Sequence, residues 1–273
     1  MISSRPFLKW PGGKFRLVER INNELGKGKR LIEPFVGSAA VFMNSNFDQY
    51  LLADNNPDLI NLYKILNKEG ENFIDSVRPL FKPETNNAET YYEIREDFNN
   101  SEDVRHKAAL FIYLNRHCYN GLCRYNKSGG FNSPFGRYKK PNFPEEAMRA
   151  FDQKSEHATF QISSFKETMQ QAEKGDVIYC DPPYVPLSRT ANFTNYSAEG
   201  FGIDKQQELA DMANQLSANG IKVVISNHDT KEIRQLYKGA KIIPFDVPRF
   251  ISQDANNRNK AQEVLAVFKA RKT

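Results

Sequence analysis

The sequence predicts an α/β fold, and three stretches carry that prediction. The apolar, partly β-branched run Val177-Ile178-Tyr179-Cys180 follows Gly175-Asp176 and empties into Asp181-Pro182-Pro183-Tyr184, the pattern of a buried strand opening into a loop. Arg30-Leu31-Ile32 runs in the same way into Glu33-Pro34-Phe35-Val36-Gly37-Ser38 and then into the helical Ala39-Ala40-Val41-Phe42. Lys222-Val223-Val224-Ile225-Ser226 is a third buried run, preceded by a helical pattern over 205–216 that Asn219-Gly220 ends. Strands alternating with helices build open sheets that bind ligands at the carboxyl ends of their strands.

With 273 residues the chain can form one large domain or two smaller ones. Its net charge of +5 and pI near 8.9 point only weakly to a polyanionic partner. Distribution says more. No acidic residue lies between Asp103 and Glu145, while Arg105, Lys107, Arg116, Arg124, Lys127, Arg137, Lys139 and Lys140 all do. No stretch approaches the roughly 18 apolar residues of a membrane span, and Met1 to Pro6 lacks the apolar core of a signal peptide. A cytoplasmic protein without membrane contact is expected. Cys118, Cys123 and Cys180 are odd in number and form no C-x-x-C pair, so three reduced thiols and no metal site are expected.

Taken in order, Phe7-Leu8-Lys9-Trp10-Pro11-Gly12-Gly13-Lys14 puts a glycine turn before a helical pattern over 16–25. It is not a Walker loop, which needs glycine where Leu8 stands and Ser or Thr where Phe15 stands; a ligand loop and a plain tight turn both remain open. The segment after Arg30-Leu31-Ile32 is a nucleotide-binding entry with one glycine, Gly37, rather than three, which suits a ligand without phosphate. A strand at Tyr50-Leu51-Leu52-Ala53 ends in Asp54, seventeen residues after Gly37. That acid can bind ribose hydroxyls, cap the Pro57-started helix, or do both. Helical patterning extends from Pro57 to about Phe98, broken at Lys82-Pro83-Glu84, and resumes over 108–114.

Asn120-Gly121 then marks a turn, and the stretch to Lys140 alternates cations, rings and glycines. A nucleic-acid surface needs that mixture, because cations neutralise phosphates and rings replace lost base stacks; a solvated basic loop is the alternative. Beyond Pro144 come a strand over 159–162, a helix to about Glu173, and a Ser/Thr/Asn-rich stretch, Val185 to Phe201, long enough to cover a site. His228 is a general base or a structural histidine, and Glu263 to Phe268 supplies a final strand.

The Asp-Pro-Pro-Tyr turn carries the chemistry. Two prolines donate no backbone hydrogen bonds and end the strand, leaving two carbonyls free to accept. An exocyclic amine such as adenine N6 is a poor nucleophile because its lone pair is delocalised. The Asp181 carboxylate and Pro182 carbonyl can each take one N–H and favour an electron-rich nitrogen, while Tyr184 stacks on the base for about 1–3 kcal/mol. A rigid turn with no chemistry is the alternative.

Together with Asn120-Gly121-Leu122-Cys123-Arg124-Tyr125-Asn126 and Asn192-Phe193-Thr194, these motifs resemble, in order and spacing over essentially the whole chain, the Dam family of DNA adenine-N6 methyltransferases. The resemblance implies a Rossmann-like, seven-stranded, mostly parallel sheet with helices on both faces, the S-adenosylmethionine-dependent methyltransferase fold. It implies a catalytic domain over 1–56 and 145–273 and an inserted, mainly helical target-recognition domain over 57–144 with a basic hairpin loop. Asp181, Pro182 and Tyr184 are then catalytic, and Trp10, Lys14, Phe35, Gly37, Asp54, Phe165 and Asp181 bind S-adenosyl-L-methionine. Adenine in duplex GATC is flipped and attacks the methyl in line without a metal.

By the same resemblance Arg124 reads a guanine, Lys9 the outer guanine, and Leu122 and Pro134 the thymine. Tyr119 and Asn120 intrude around the flipped base, and Arg137 and Tyr138 hold phosphates. Pro11 and Ser38 depart from the residues common there, both by compact side chains. A monomer acting on double-stranded DNA is expected. An RNA adenine-N6 methyltransferase and a catalytically inactive DNA-binding module are the alternatives, whereas a C5-cytosine enzyme is excluded by the lack of a Pro-Cys nucleophile.

Overall fold

The computed structural model describes residues 4–184, 201–247 and 261–271. The strands are β1 (Arg30–Glu33), β2 (Gln49–Asp54), β3 (Ala158–Ile162), β4 (Val177–Cys180), β5 (Lys222–His228), β6 (Lys241–Val247) and β7 (Ala261–Phe268). They form one seven-stranded sheet in the order β3-β2-β1-β4-β5-β7-β6. β4 pairs in parallel with both β1 and β5, and β2 pairs in parallel with β3; β7 runs antiparallel to its neighbours β5 and β6. The expected mixed, mostly parallel sheet is therefore present.

Two compact units make up the chain. One comprises Met1–Glu19, Val36–Asn46 and Tyr50–Ile162, the other Arg20–Phe35, Phe47–Gln49 and Ser163–Thr273. After α1 (Val18–Leu25), most helices lie in the first: α2 (Ala40–Asn44), α3 (Pro57–Glu69), α4 (Glu71–Val77), α5 (Ala88–Asn100), α6 (Val104–His117) and α7 (Glu145–Ser155). Pro57 opens α3 where its missing N–H costs nothing, and Asn56 caps it, its side chain accepting from the N–H groups of Asp58 and Leu59. Asp54 is therefore not the cap. The core of this unit is aromatic: Phe7, Tyr63 and Phe42 each pack against Phe151 at 4.7–5.6 Å between ring centres. Phe151 stands on α7, a helix that the sequence reading did not identify.

In the second unit α8 (Phe165–Met169) precedes β4, and α9 (Ile203–Ala218) and α10 (Lys231–Leu236) flank β5. All four β4 residues are buried, and each apolar side chain so placed contributes about 1.5–3 kcal/mol. α8 stops at Met169, short of the expected Glu173, and α9 is longer at both ends than the predicted helix. β6 went unpredicted because Pro244 interrupts its pattern; it is the edge strand, where a missing N–H is tolerated. Asn192-Phe193-Thr194 and all of the proposed cover except Phe201 lie outside the described residues.

Candidate active site

The strand order reverses direction at β1 and β4, whose register pairs Leu31 with Val177 and Ile32 with Ile178. Ligands of open α/β sheets bind beyond the carboxyl ends at such a switch point. Glu33-Pro34-Phe35 follows β1 there, and Asp181-Pro182-Pro183-Tyr184 follows β4.

The turn is held by partners on β5, β7 and α9. Ser226 Oγ donates to Asp181 Oδ1 at 2.7 Å. Gln206 Nε2 donates to the Pro183 carbonyl at 2.8 Å, so of the two carbonyls expected to be free, Pro183's is taken. The Pro182 carbonyl meets no donor among the described residues, which leaves it available to a target amine. Gln206 is itself buried, its Oε1 accepting from Asn227 Nδ2 at 3.0 Å and the Tyr237 hydroxyl at 3.1 Å. The Tyr184 hydroxyl donates to Glu263 Oε2 at 3.1 Å, and the His228 ring packs against the Tyr184 ring at 4.6 Å and 69°. Burial, then the nearby Asp181 and Glu263 charges, holds the Tyr184 phenol well above its usual value; the ring is neutral and suited to stacking.

Phe35 and Phe165, both expected at a cofactor, are brought together in this unit: their rings stack at 5.6 Å and 20°. Phe201, which sequence reasoning missed, stands edge-on to both at 5.5 Å. Phe165 is fixed by a reciprocal cap at the start of α8, where Ser164 Oγ accepts the Glu167 N–H and Glu167 Oε2 the Ser164 N–H. The three rings form an apolar wall that suits a planar heterocycle.

The first unit joins Trp10, Gly37 and Asp54. Gly37 has φ +46°, and a Cβ there would lie 3.0 Å from Trp10 Nε1, so the indole itself requires glycine. The Gly37 N–H donates to Asp54 Oδ2 at 3.2 Å and the Asn56 N–H to Oδ1 at 3.0 Å. Burial raises the Asp54 carboxyl above its ordinary range against the opposing pull of these backbone donors. A carboxylate accepts about four hydrogen bonds, so Asp54 has capacity for ribose hydroxyls. Lys14 is buried and donates from Nζ to the Gly12 carbonyl at 2.7 Å. Within this unit the Trp10 indole and the Asp54 carboxylate fit a nucleoside that carries no phosphate.

The eight DNA-directed residues also lie in this unit. Antiparallel bridges between Tyr125 and Phe131 and between Cys118 and Phe135 make the expected hairpin, and Asn126 Oδ1 accepts from the N–H groups of Ser128 and Gly130 at its tip. Tyr119 and Asn120 are exposed, Asn120 at φ +52° and Gly121 at φ +66°, consecutive left-handed residues of a tight turn. The Tyr119 N–H donates to the Pro134 carbonyl at 2.8 Å, and Leu122 O accepts from Ser133 Oγ. Arg124 is exposed and oriented from one side, with Nε on Asn132 Oδ1 at 2.8 Å and Nη2 on Asn132 O at 3.1 Å.

The Tyr138 hydroxyl accepts the Asn120 N–H at 2.9 Å, and the Lys9 ammonium lies over its ring at 4.0 Å. Burial and then Arg116 lower the Lys9 pKa. Arg137 is exposed at φ +53°. Three of the eight cations do not face solvent freely, since Arg105 pairs with Glu69 at 2.8 Å, Lys107 pairs with Asp58 at 3.0 Å, and the partly buried Arg116 donates from Nε to the Asn142 carbonyl at 3.0 Å. The basic field is narrower than the acid-free sequence span.

The sheet order and the Asp-Pro-Pro-Tyr turn at its switch point define the class, an α/β methyltransferase acting on an amino group. Residues 10–249 match the D12 class N6 adenine-specific DNA methyltransferase family, and the chain belongs to it. It is 50% identical over 269 residues to a DNA adenine methylase of Vibrio cholerae, covering 98% of this chain and 97% of the relative. It is 50% identical over 270 residues to a DNA adenine methylase of Serratia marcescens, covering 98% and 100%, and 49% identical over 269 residues to one of Escherichia coli K12, covering 98% and 97%. The protein is an adenine-specific DNA methyltransferase. Among the described residues no helix is long and apolar enough to cross a membrane.

Proposed function

We propose that the chain methylates N6 of adenine in duplex GATC, with S-adenosyl-L-methionine as donor and the adenine flipped out of the duplex. The observation that carries this is the Asp181 carboxylate held at the end of β4 beside an open Pro182 carbonyl, with the neutral Tyr184 ring alongside. Two acceptors suit an amine with two N–H bonds, and the ring replaces the stack that a flipped base loses, a cost of a few kcal/mol.

The bound cofactor supplies an electrophilic methyl on a sulfonium. Trp10, Lys14, Phe35, Gly37, Asp54, Phe165 and Asp181 are assigned to it, with Asp54 accepting ribose hydroxyls. Asp181 and Pro182 then orient the amine lone pair, so positioning supplies most of the rate. Arg124, turned outward by Asn132, presents its remaining N–H groups to guanine O6 and N7, a pairing worth about 1–3 kcal/mol of discrimination. Lys9, Tyr119, Asn120, Leu122, Pro134, Arg137 and Tyr138 complete the DNA contacts. Residues 57–144 form the target-recognition part and 1–56 with 145–273 the catalytic part of a cytoplasmic monomer.

The test is transfer of labelled methyl from S-adenosylmethionine to two short duplexes that differ only in containing GATC. Label confined to the GATC duplex is the expected result. Equal label in both overturns the specificity assigned to Arg124, and label in neither overturns the reaction.

A further inference from the structure

We propose that Ser226 is a positioning residue for methyl transfer, holding the Asp181 carboxylate in the rotation at which it meets the target amine. This deepens the reading above and rests on the role given there to Asp181. An aspartate's last torsion joins sp³ to sp² carbon and is broad and weakly held. Asp181 stands past the end of its strand and is only half-buried, so its backbone does not fix where the oxygens point. Productive geometry must be held far more tightly than that.

The sheet supplies the restraint. Cys180 is paired with Ile225 in the β4–β5 register, which brings the next residue of each strand together, and Ser226 is fully buried. Its single hydroxyl proton has Asp181 Oδ1 at 2.7 Å, the Cys180 carbonyl at 3.4 Å and the oxygen of the Tyr184 phenol, which also bonds to Ser226, as acceptors. The shorter contact to the charged acceptor takes it. Tyr179, whose hydroxyl lies 3.1 Å from the same Oγ, must then donate to Ser226. Its burial keeps that phenol protonated, so the chain runs from Tyr179 through Ser226 to Asp181. Every donor in it comes from a strand interior.

Single-turnover methyl transfer is compared for Ser226→Ala, Ser226→Thr, Tyr179→Phe and Asp181→Ala, with separate dissociation constants for cofactor and for GATC duplex. Ser226→Ala is expected to slow transfer by about ten- to a hundred-fold while both dissociation constants stay within about two-fold. Ser226→Thr restores the hydroxyl and most of the rate. Tyr179→Phe costs less than Ser226→Ala, because the serine proton still reaches Asp181; should the threonine variant fail to fold, this order decides. A parental rate in Ser226→Ala beside an inactive Asp181→Ala overturns the inference alone. A parental rate in Asp181→Ala overturns the reading of the site. Loss of binding in step with rate in Ser226→Ala makes the serine merely structural and also overturns the inference.

Discussion

The end of β4 and the hairpin over 118–136 are both built from short loops, yet they are held in opposite ways. Around Asp181, Pro183 and Tyr184 the partners Ser226, Gln206 and Glu263 come from other elements, and Ser226 and Gln206 are fully buried. In the hairpin the restraints are mostly local: Asn126 closes the tip, Asn132 orients Arg124, and Tyr138 pins the Asn120 turn. Tyr119, Asn120 and Arg124 remain exposed. On the proposed function the contrast has a reason: bond-making tolerates little error and suits groups tied into the sheet, whereas reading a charged duplex needs reach and charge at a surface.

The sharpest way to break this contrast is Asp181→Ala. Methyl transfer should fall by about a hundred- to a thousand-fold, the scale seen when one preorganised electrostatic partner is lost, while DNA affinity measured by fluorescence anisotropy stays near parental. A parallel loss of DNA affinity would show that the two regions are not separable in function.

A next test asks whether the hairpin's base is as firmly packed as the catalytic end. His117 closes α6; its Nδ1–H donates to the Tyr113 carbonyl at 2.8 Å, its ring stacks on Tyr113 at 3.8 Å, and its own carbonyl accepts the Gly136 N–H. Burial pulls its pKa down to about 4 from 6.5. The folded state keeps the ring neutral while the unfolded state protonates below 6.5, so this stability is complete above pH 6.5 and is lost as pH falls toward 4. The loss is on the order of 3 kcal/mol. His117→Phe keeps the stack and removes the titration, so its urea stability should depend less on pH between 6.5 and 4 than the parent's; identical slopes would place the histidine outside the packed base.

What the sequence made legible follows from how local each feature is. Val177 to Cys180 and the two prolines mark both strand and stop, and the strand that ends in Asp54 lies where the sequence predicts it. Ser226 looked like any strand residue, because only the β4–β5 register shows that it lies against Asp181. Gln206 and Asn227 were hidden for the same reason. Counting charge along the chain overstated the basic field, since Glu69 and Asp58 reach Arg105 and Lys107 from α3, far away in sequence. The capping role that the sequence offered to Asp54 falls to Asn56.

Arg124→Ala should lower discrimination between GATC and a duplex altered at the guanine by about 1–3 kcal/mol, with S-adenosylmethionine affinity unchanged by titration calorimetry. Asn132→Ala sharpens the point. If local orientation is what the hairpin contributes, this variant loses part of the same discrimination with the arginine still present, and an unchanged preference would mean that Arg124 needs no support.

The smallest effect belongs to Lys139 and Lys140, which are exposed and form no ion pair among the described residues. Replacing both with glutamine should weaken binding to GATC and non-GATC duplexes alike and reduce the slope of log affinity against log salt by about 0.9 for each phosphate that is no longer neutralised. Sequence preference should not move. A change in preference would mean that these lysines set the register of the hairpin, and the division between residues that read bases and residues that supply charge would then run inside Tyr138-Lys139-Lys140 itself.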